Sequence, residues 1–212
     1  LRNSSAASDV YKRQITDFNT NNFSKFDAAF RYSPFTSLID NTDPAITSNI
    51  TTLKLSKDFT PTLNTSTKYT IPFSNALYNP HSGHDSDAGG ILSSSGFKIS
   101  GNTNEMFLND DGLGNVRMYY IVDGTTNTYQ DNNAGTIDYK TGEIILTSFN
   151  ITEISNIDGA TSTSIRLIVT PESNDIIGVR NQVLEIDTAN LIVTANVDTI
   201  ATGSASAGVG VT

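Results

Sequence analysis

The segment from residue 135 to residue 150, GTIDYKTGEIILTSFN, constrains the fold more than any other part of the sequence. Its apolar residues Ile137 and Tyr139 alternate with polar neighbours, and a second β-favouring run follows at residues 143–147. Two such runs joined by a short polar segment that contains glycine predict a β-hairpin. Gly142 can supply the positive φ that a tight reversal needs. We therefore expect a hairpin near the centre of a mostly β domain.

Other segments of the chain have the same character. Hydrophobic residues make up 37% of the sequence and charged residues 17%, so Asn, Thr, Ser and Gly fill much of the rest, which suits strands and turns. We predict a mainly β (α+β) fold, with an antiparallel β-sandwich-like domain and two short N-terminal helices. The predicted strands are residues 50–55, 68–73, 97–99, 105–108, 116–121, 164–170, 182–187 and 191–197, the last two forming a second hairpin. Pro72 places its strand at an edge or a bulge.

The two helices are predicted from aromatic spacing. Phe23, Phe26 and Phe30 recur at helical intervals, and a second short helix is expected to begin at Ser33 and Pro34. That helix should end before Pro44, because the residue before a proline disfavours helical geometry.

Residues 4–14, SSAASDVYKRQ, are the in-frame translation of a transposase sequencing adapter over eleven consecutive codons. We therefore interpret residues 1–14 as an artefact and not as native protein, within a fragment of a longer gene. We expect the remaining chain to consist of a short helical segment at 15–45, a candidate for the end of a preceding domain, a β-rich domain at 46–200 and a flexible tail at 201–212.

The charge and composition exclude several classes of function. The net charge of −9 would repel a phosphate backbone or an anionic membrane, so we expect neither nucleic-acid binding nor membrane insertion. The sequence contains no cysteine, which excludes disulfides and thiolate metal sites. Its apolar runs are far shorter than the roughly 20 residues of a membrane helix.

The candidate metal-binding and catalytic residues lack the sequence context that a site of either kind requires. His81, His84 and Asp85 could bind a divalent metal, but they lie in a loop from 79 to 95 rich in Ser and Gly, which offers little support for ligands. The segment NDDG at 109–112 resembles the start of a calcium loop but lacks the alternating ligands and the closing glutamate. Adjacent carboxylates on a strand point to opposite faces, which disfavours a hydrolytic pair. We predict no metal, no cofactor and no enzymatic activity.

Several short strings together resemble the C-terminal region of the baseplate wedge protein of contractile-tailed bacteriophages, including those of marine bacteria. Their order and spacing carry the resemblance, which extends from about Phe26 to Val197. The strings are RYS at 31–33, SLID at 37–40, DPAI at 43–46, SNIT at 48–51, GTIDY at 135–139 with Gly142 and Leu146, and SNDII at 173–177 followed by RNQ at 180–182 and LEID at 184–187.

The resemblance implies a structural protein that is assembled in the host cytoplasm and located in the tail baseplate of the virion. Its expected partners are copies of itself and other wedge subunits. Apolar residues beside polar, proline-bounded turns are the candidates for contacts between subunits, although they could instead pack within their own domain. These interface candidates are Phe35, Leu38, Ile39, Ile176, Ile177 and Arg180.

One alternative from another class stays open. A Thr-, Asn- and Ser-rich, cysteine-free, acidic β domain also suits an extracellular adhesin or carbohydrate-binding β-sandwich. A cluster of exposed aromatic side chains on one face of a sheet would favour that alternative. Tyr119 and Tyr120 are candidates, but neighbouring residues of a strand face opposite sides, so only one of them can contribute.

Overall fold

A computed structural model describes residues 4–23, 28–44, 46, 48–79, 85, 89–178 and 183–194. The chain forms two compact units. One consists of residues 1–49 with 180–212, and the other is Ile50–Val179.

The first unit is built around an aromatic cluster. Its elements are α1 (Ser4–Phe23), β1 (Ala29–Phe30) and α2 (Tyr32–Asp40). The ring of Phe18 lies edge-on to Phe23 and Phe35, with centroids 5.7 and 5.4 Å apart, and Phe30 lies 6.0 Å from Phe23 and 5.2 Å from Phe35. Aromatic pairs at these separations add to the free energy of burial.

Two helices near the N-terminus are confirmed, but the predicted position of the first was wrong. The helix α1 ends at Phe23, and Ala29 and Phe30 form a strand. Phe23 belongs to α1 and Phe30 to β1, and their buried rings stack on each other. Their spacing in the sequence suits one face of a helix, but the two residues lie on different elements. The second helix also begins earlier than expected, since Arg31 and not Ser33 occupies its N-cap position.

The second unit holds most of the strands. In chain order they are β2 (Leu55–Phe59), β3 (Ser66–Pro72), β4 (Ser93–Ser94), β5 (Phe97–Ile99), β6 (Met106–Asp110), β7 (Asn115–Val122), β8 (Thr126–Asp138), β9 (Glu143–Ile154), β10 (Ile165–Val169) and β11 (Ile176–Ile177). The mainly β class and the antiparallel pairing are thereby confirmed.

The predicted central hairpin is present as β8 and β9. Ile137 pairs with Ile144, and Gly142 in the turn has a φ of 69°. The strand β9 also pairs with β3 and, further along, with β5. In addition, β5 pairs with β6, β6 with β7 and β7 with β8. The strands β5, β6, β7, β8 and β9 therefore form a closed circuit of hydrogen-bonded neighbours.

The core of this unit lies on the inner faces of these strands. Phe97, Met106, Leu108, Ile144, Leu146, Ile165 and Leu167 are fully buried. Alternate residues of β6 and β10 are buried, which is the period-2 pattern of strands with one face in the core. This apolar burial is the main contribution to the free energy of folding.

The strand β3 pairs only with β9 among the described residues and is therefore an edge strand, as Pro72 predicted. A bulge falls between Thr67 and Tyr69. The ammonium group of Lys57, on β2, donates to the Pro72 carbonyl, and the rings of Phe59 and Tyr69 lie 5.2 Å apart. Side chains thus bridge β2 and β3.

Several strand predictions need correction. Residues 50–54 are not in a strand, because β10 pairs with β2 only from Leu55 to Phe59. No strand forms within residues 183–194, where the carboxylate of Asp187 accepts hydrogen bonds from the Ala189 and Asn190 N–H groups in a turn. The loop predicted at 79–95 contains β4, whose Ser93 pairs with Asn109 of β6.

Candidate assembly surfaces

The structure separates the interface candidates by burial. Phe35 is buried, and Leu38 and Ile39 on the same helix are half-buried. Ile176 is buried, whereas Ile177 is 57% exposed. Arg180 lies outside the described residues. The assignment of these residues to subunit contacts stays a prediction.

Phe35 packs within its own unit. Its ring contacts those of Phe18 and Phe30. A side chain committed to this cluster helps to hold α1 and α2 together. Of the three candidates on α2, Leu38 and Ile39 are therefore the two with surface left to offer a partner.

The backbone of Ile177 is fixed by two hydrogen bonds to the side chain of Asn75, which pairs with it as a neighbouring strand would. The Asn75 carboxamide accepts a hydrogen bond from the Ile177 N–H over 3.3 Å and donates to the Ile177 carbonyl over 3.2 Å. Asn75 itself lies against the central hairpin turn, because a Cβ added to Gly142 would fall 2.1 Å from the Asn75 carbonyl oxygen. The exposed Ile177 side chain is thus presented by a fixed backbone.

A buried polar network centred on Asp110 connects the end of the long loop to the central hairpin. One carboxylate oxygen of Asp110 accepts from the Leu92 N–H over 2.8 Å, and the other accepts from the Tyr139 hydroxyl over 2.6 Å. The Asp110 carbonyl accepts from the Gly90 N–H over 2.9 Å. Burial, followed by the hydrogen bond to Asp110 and its charge, raises the pKa of Tyr139 well above its usual value.

Asp111 holds the turn between β6 and β7. Its carboxylate accepts from the N–H groups of Leu113 and Asn115 and from the Asn115 side chain over 2.6 Å. Burial favours the protonated acid, but these hydrogen bonds and the charge of Arg117 outweigh it and lower the pKa of Asp111. The NDDG segment therefore ends β6 and begins the turn to β7, with the side chain of Asp110 buried and that of Asp111 closing the turn.

The outer face of β6, β7 and β8 carries a row of three aromatic rings, Phe107, Tyr119 and Tyr129, which we call the aromatic row. Phe107 is directly opposite Tyr119, and Tyr119 is directly opposite Tyr129. Their ring centroids are 5.7 and 6.0 Å apart, and all three side chains are half-buried. Tyr120 faces the other side, since it pairs with the fully buried Met106.

The sequence predicts no strand at residues 126–134, because this stretch is mostly polar, and Tyr129 was therefore not expected on this face. A local signal was available in Asp123 and Gly124, which have positive φ values of 53° and 72°. Asp-Gly between two β-favouring runs is a strong hairpin signal. It would have predicted that β7 turns back into β8.

The absence of a metal-binding role for His81, His84 and Asp85 stays a prediction. His81 and His84 lie outside the described residues, and Asp85 is exposed. Within the described ranges, no three His, Cys, Asp or Glu side chains are grouped so that they could hold a metal ion.

One open groove of about 360 Å³ lies beside the end of β9. Its lining consists of Thr60, Pro61, Leu63, Thr152, Glu153, Ile154, Ser162 and Thr163. Glu153 is the single carboxylate in this lining, and it pairs with Lys98 over 2.8 Å. The groove therefore lacks the two convergent carboxylates of a hydrolytic site.

In the described part of the chain, no helix has the length and apolar character needed to cross a bilayer. The chain matches no curated protein. Residues 7–58 match the family described as baseplate structural protein gp6, C-terminal domain III. This segment is about a quarter of the chain and contains β1, α2 and most of α1. It also includes residues 7–14, so the interpretation of that stretch as an adapter artefact stays a prediction. The match confirms the predicted resemblance to a phage baseplate protein over this segment: residues 7–58 are similar to a domain of a baseplate structural protein.

Proposed function

We propose that the protein is a subunit of a phage baseplate wedge, which assembles with copies of itself and with other wedge subunits in the host cytoplasm and remains in the virion. The match of residues 7–58 to a baseplate structural protein is the observation that carries this proposal. Its role in the assembly is to contact neighbouring subunits through its surface, and this role requires no chemical step.

The helix α2 is the best candidate for such a surface within the matched segment. Phe35 anchors one side of the helix in the aromatic cluster, while Leu38 and Ile39 remain half-buried. Apolar side chains that are partly open on a folded unit gain free energy when a partner covers them. Leu38 and Ile39 thus supply the apolar part of a subunit contact.

Size-exclusion chromatography with light scattering tests this role. We expect the chain to form oligomers as its concentration rises, and the double substitution Leu38→Asp with Ile39→Asp to shift it to the monomer. The matched control is Ser33→Asp with Ser37→Asp, which adds the same charge at exposed positions of the same helix. Circular dichroism would show whether each variant is folded. A folded double variant that assembles like the wild type would contradict the assignment of α2.

A second candidate function is that of a carbohydrate-binding or adhesin domain. The aromatic row supports it, because three rings lie together on one sheet face, each of them half-buried. A glycan array is the corresponding test. One clear hit that is lost on substitution of Tyr119 would support this function over assembly.

A further inference from the structure

The aromatic row has a fixed geometry because a buried cation holds one end of it. The guanidinium carbon of Arg117 lies 4.4 Å from the centroid of the Tyr129 ring. Arg117 is only 5% exposed, and it donates to the Asn109 side chain and to the Asp110 carbonyl, both over 3.1 Å. A cation over a tyrosine face is attracted by the negative potential of the ring. The row is thus pre-organised, and its rings are suited to cationic groups.

Apart from the ion pair of Lys98 with Glu153, the exposed charges around the row are acidic. Arg117 is the single basic residue between positions 101 and 139, and it is buried. Glu105 lies two residues before Phe107 and is exposed. Asp131 does not border the row, because it lies beyond a register shift in β8 and pairs with the core residue Met118. Asp123, also exposed, forms the turn at the end of the hairpin. On the neighbouring strand β5, Lys98 is neutralised by its ion pair with Glu153.

Apolar surface extends the row toward this turn. Ile121 is 44% exposed and lies two residues beyond Tyr119 on the same face of β7, opposite Asn127. Rings and an aliphatic side chain with a carboxylate at either end form a surface complementary to the long side chains of arginine and lysine. Their methylene groups cover apolar surface while their charged ends reach the acids.

We propose that the outer face of β6–β7–β8, formed by the aromatic row with Ile121 and bordered by Glu105 and Asp123, is a docking surface for a basic protein surface on another virion subunit. This proposal rests on the proposed assembly function and adds the chemistry of one partner. Charge complementarity selects that partner, because the same acids repel the phosphates of nucleic acids.

An NMR titration of the full chain with a synthetic peptide of four Arg-Gly repeats tests the proposal. Amide shifts should concentrate in β6, β7 and β8, and binding should weaken as salt is added. We expect Tyr119→Leu, which keeps apolar bulk but removes the ring, to weaken binding by about two- to fivefold. A peptide of four Glu-Gly repeats should cause no shifts at this face.

A pair of charge variants separates specific docking from general attraction to an acidic protein. Glu105→Gln with Asp123→Asn removes two charges beside the row, and Glu172→Gln with Asp175→Asn removes two exposed charges elsewhere. We expect the first pair to weaken peptide binding by at least about threefold and the second pair to change it by less than about 1.5-fold. Equal effects of the two pairs, or shifts spread over all acidic segments, would overturn the proposal.

Two further outcomes are decisive. If chitohexaose perturbs the same residues, with an affinity that does not fall as salt is added, the face is a glycan site and the proposal is wrong. The light-scattering test of Leu38 and Ile39 does not involve this face. If the chain forms oligomers but the peptide does not bind specifically at this face, only the docking proposal is overturned. If the chain is monomeric at all concentrations but binds the peptide at this face, only the assignment of α2 is overturned.

Discussion

The Tyr139 hydroxyl donates a 2.6 Å hydrogen bond to the fully buried carboxylate of Asp110. Tyr139 begins the turn of the central hairpin, and Asp110 ends β6. The other oxygen of the same carboxylate accepts from the Leu92 N–H, so one side chain connects the hairpin, β6 and the end of the long loop. A buried acid with directed partners fixes the relative positions of these elements.

Removing this hydroxyl should destabilise the protein. Tyr139→Phe leaves one oxygen of the buried Asp110 carboxylate without its donor, and we expect a loss of about 1–3 kcal/mol in the free energy of unfolding. Urea denaturation measures the change. Tyr69→Phe is the control, because its hydroxyl accepts from Thr62 N–H at the surface, and we expect it to cost less than about 1 kcal/mol. Equal losses for the two variants would contradict the role of the network.

Gly142 and Gly124 form a matched pair for testing the contact between the hairpin turn and Asn75. Both have positive φ, 69° and 72°, so alanine is strained at either position. A Cβ at Gly142 meets the Asn75 carbonyl oxygen, whereas a Cβ at Gly124 meets nothing within 4 Å. We expect Gly124→Ala to cost about 1 kcal/mol and Gly142→Ala at least about 2 kcal/mol more, measured by thermal or urea unfolding. Similar costs would mean that the turn does not pack on Asn75.

The ionised form of Asp111 should stabilise the protein only above its folded pKa. Because that pKa is lowered on folding, the stabilisation is present above the unfolded value of about 4 and is lost as the pH falls through the folded value. Asp111→Asn should therefore be less stable than the wild type near neutral pH, and the difference in their free energies of unfolding should become smaller below about pH 4. Urea unfolding from pH 7 to pH 3 tests this. A gap that stays constant over this range would contradict it.

Deleting residues 1–14 should leave the fold intact. Within residues 9–14, no side chain is buried, whereas Ile15 is 3% exposed and Phe18 and Phe23 join the aromatic cluster. We expect the melting temperature to change by less than about 3 °C, whereas Phe23→Ala should cost about 3–5 kcal/mol. A large loss of stability on deletion would contradict the interpretation of this stretch as an adapter artefact.

The hairpin at residues 135–150 was predictable because alternation and a turn glycine both lie in the local sequence. The pairing of β9 with β3 and β5 was not, since register between distant strands depends on packing. The aromatic cluster shows the same limit. Phe23 and Phe30 were predicted to be on one helix, but their contact is made by two elements.

The candidate surfaces were predictable only in part. The apolar pattern of Leu38 and Ile39 was visible, but the burial of Phe35 depends on Phe18, which lies on another helix. The aromatic row was missed because Phe107, Tyr119 and Tyr129 come together only through the pairing of three strands. Asp110 was considered as a metal ligand, and its actual partners, Leu92 and Tyr139, are 18 and 29 residues away in the sequence.

Quantitative mass spectrometry of purified tails, from a phage that carries this gene, measures the central claim most directly. A baseplate subunit should be present in intact tails in a fixed ratio to other baseplate proteins, and it should remain after washes that remove loosely bound protein. We predict that peptides from residues 15–194 are found in that ratio. Their absence from purified tails, with the protein recovered free in the lysate, would contradict a structural role in the baseplate.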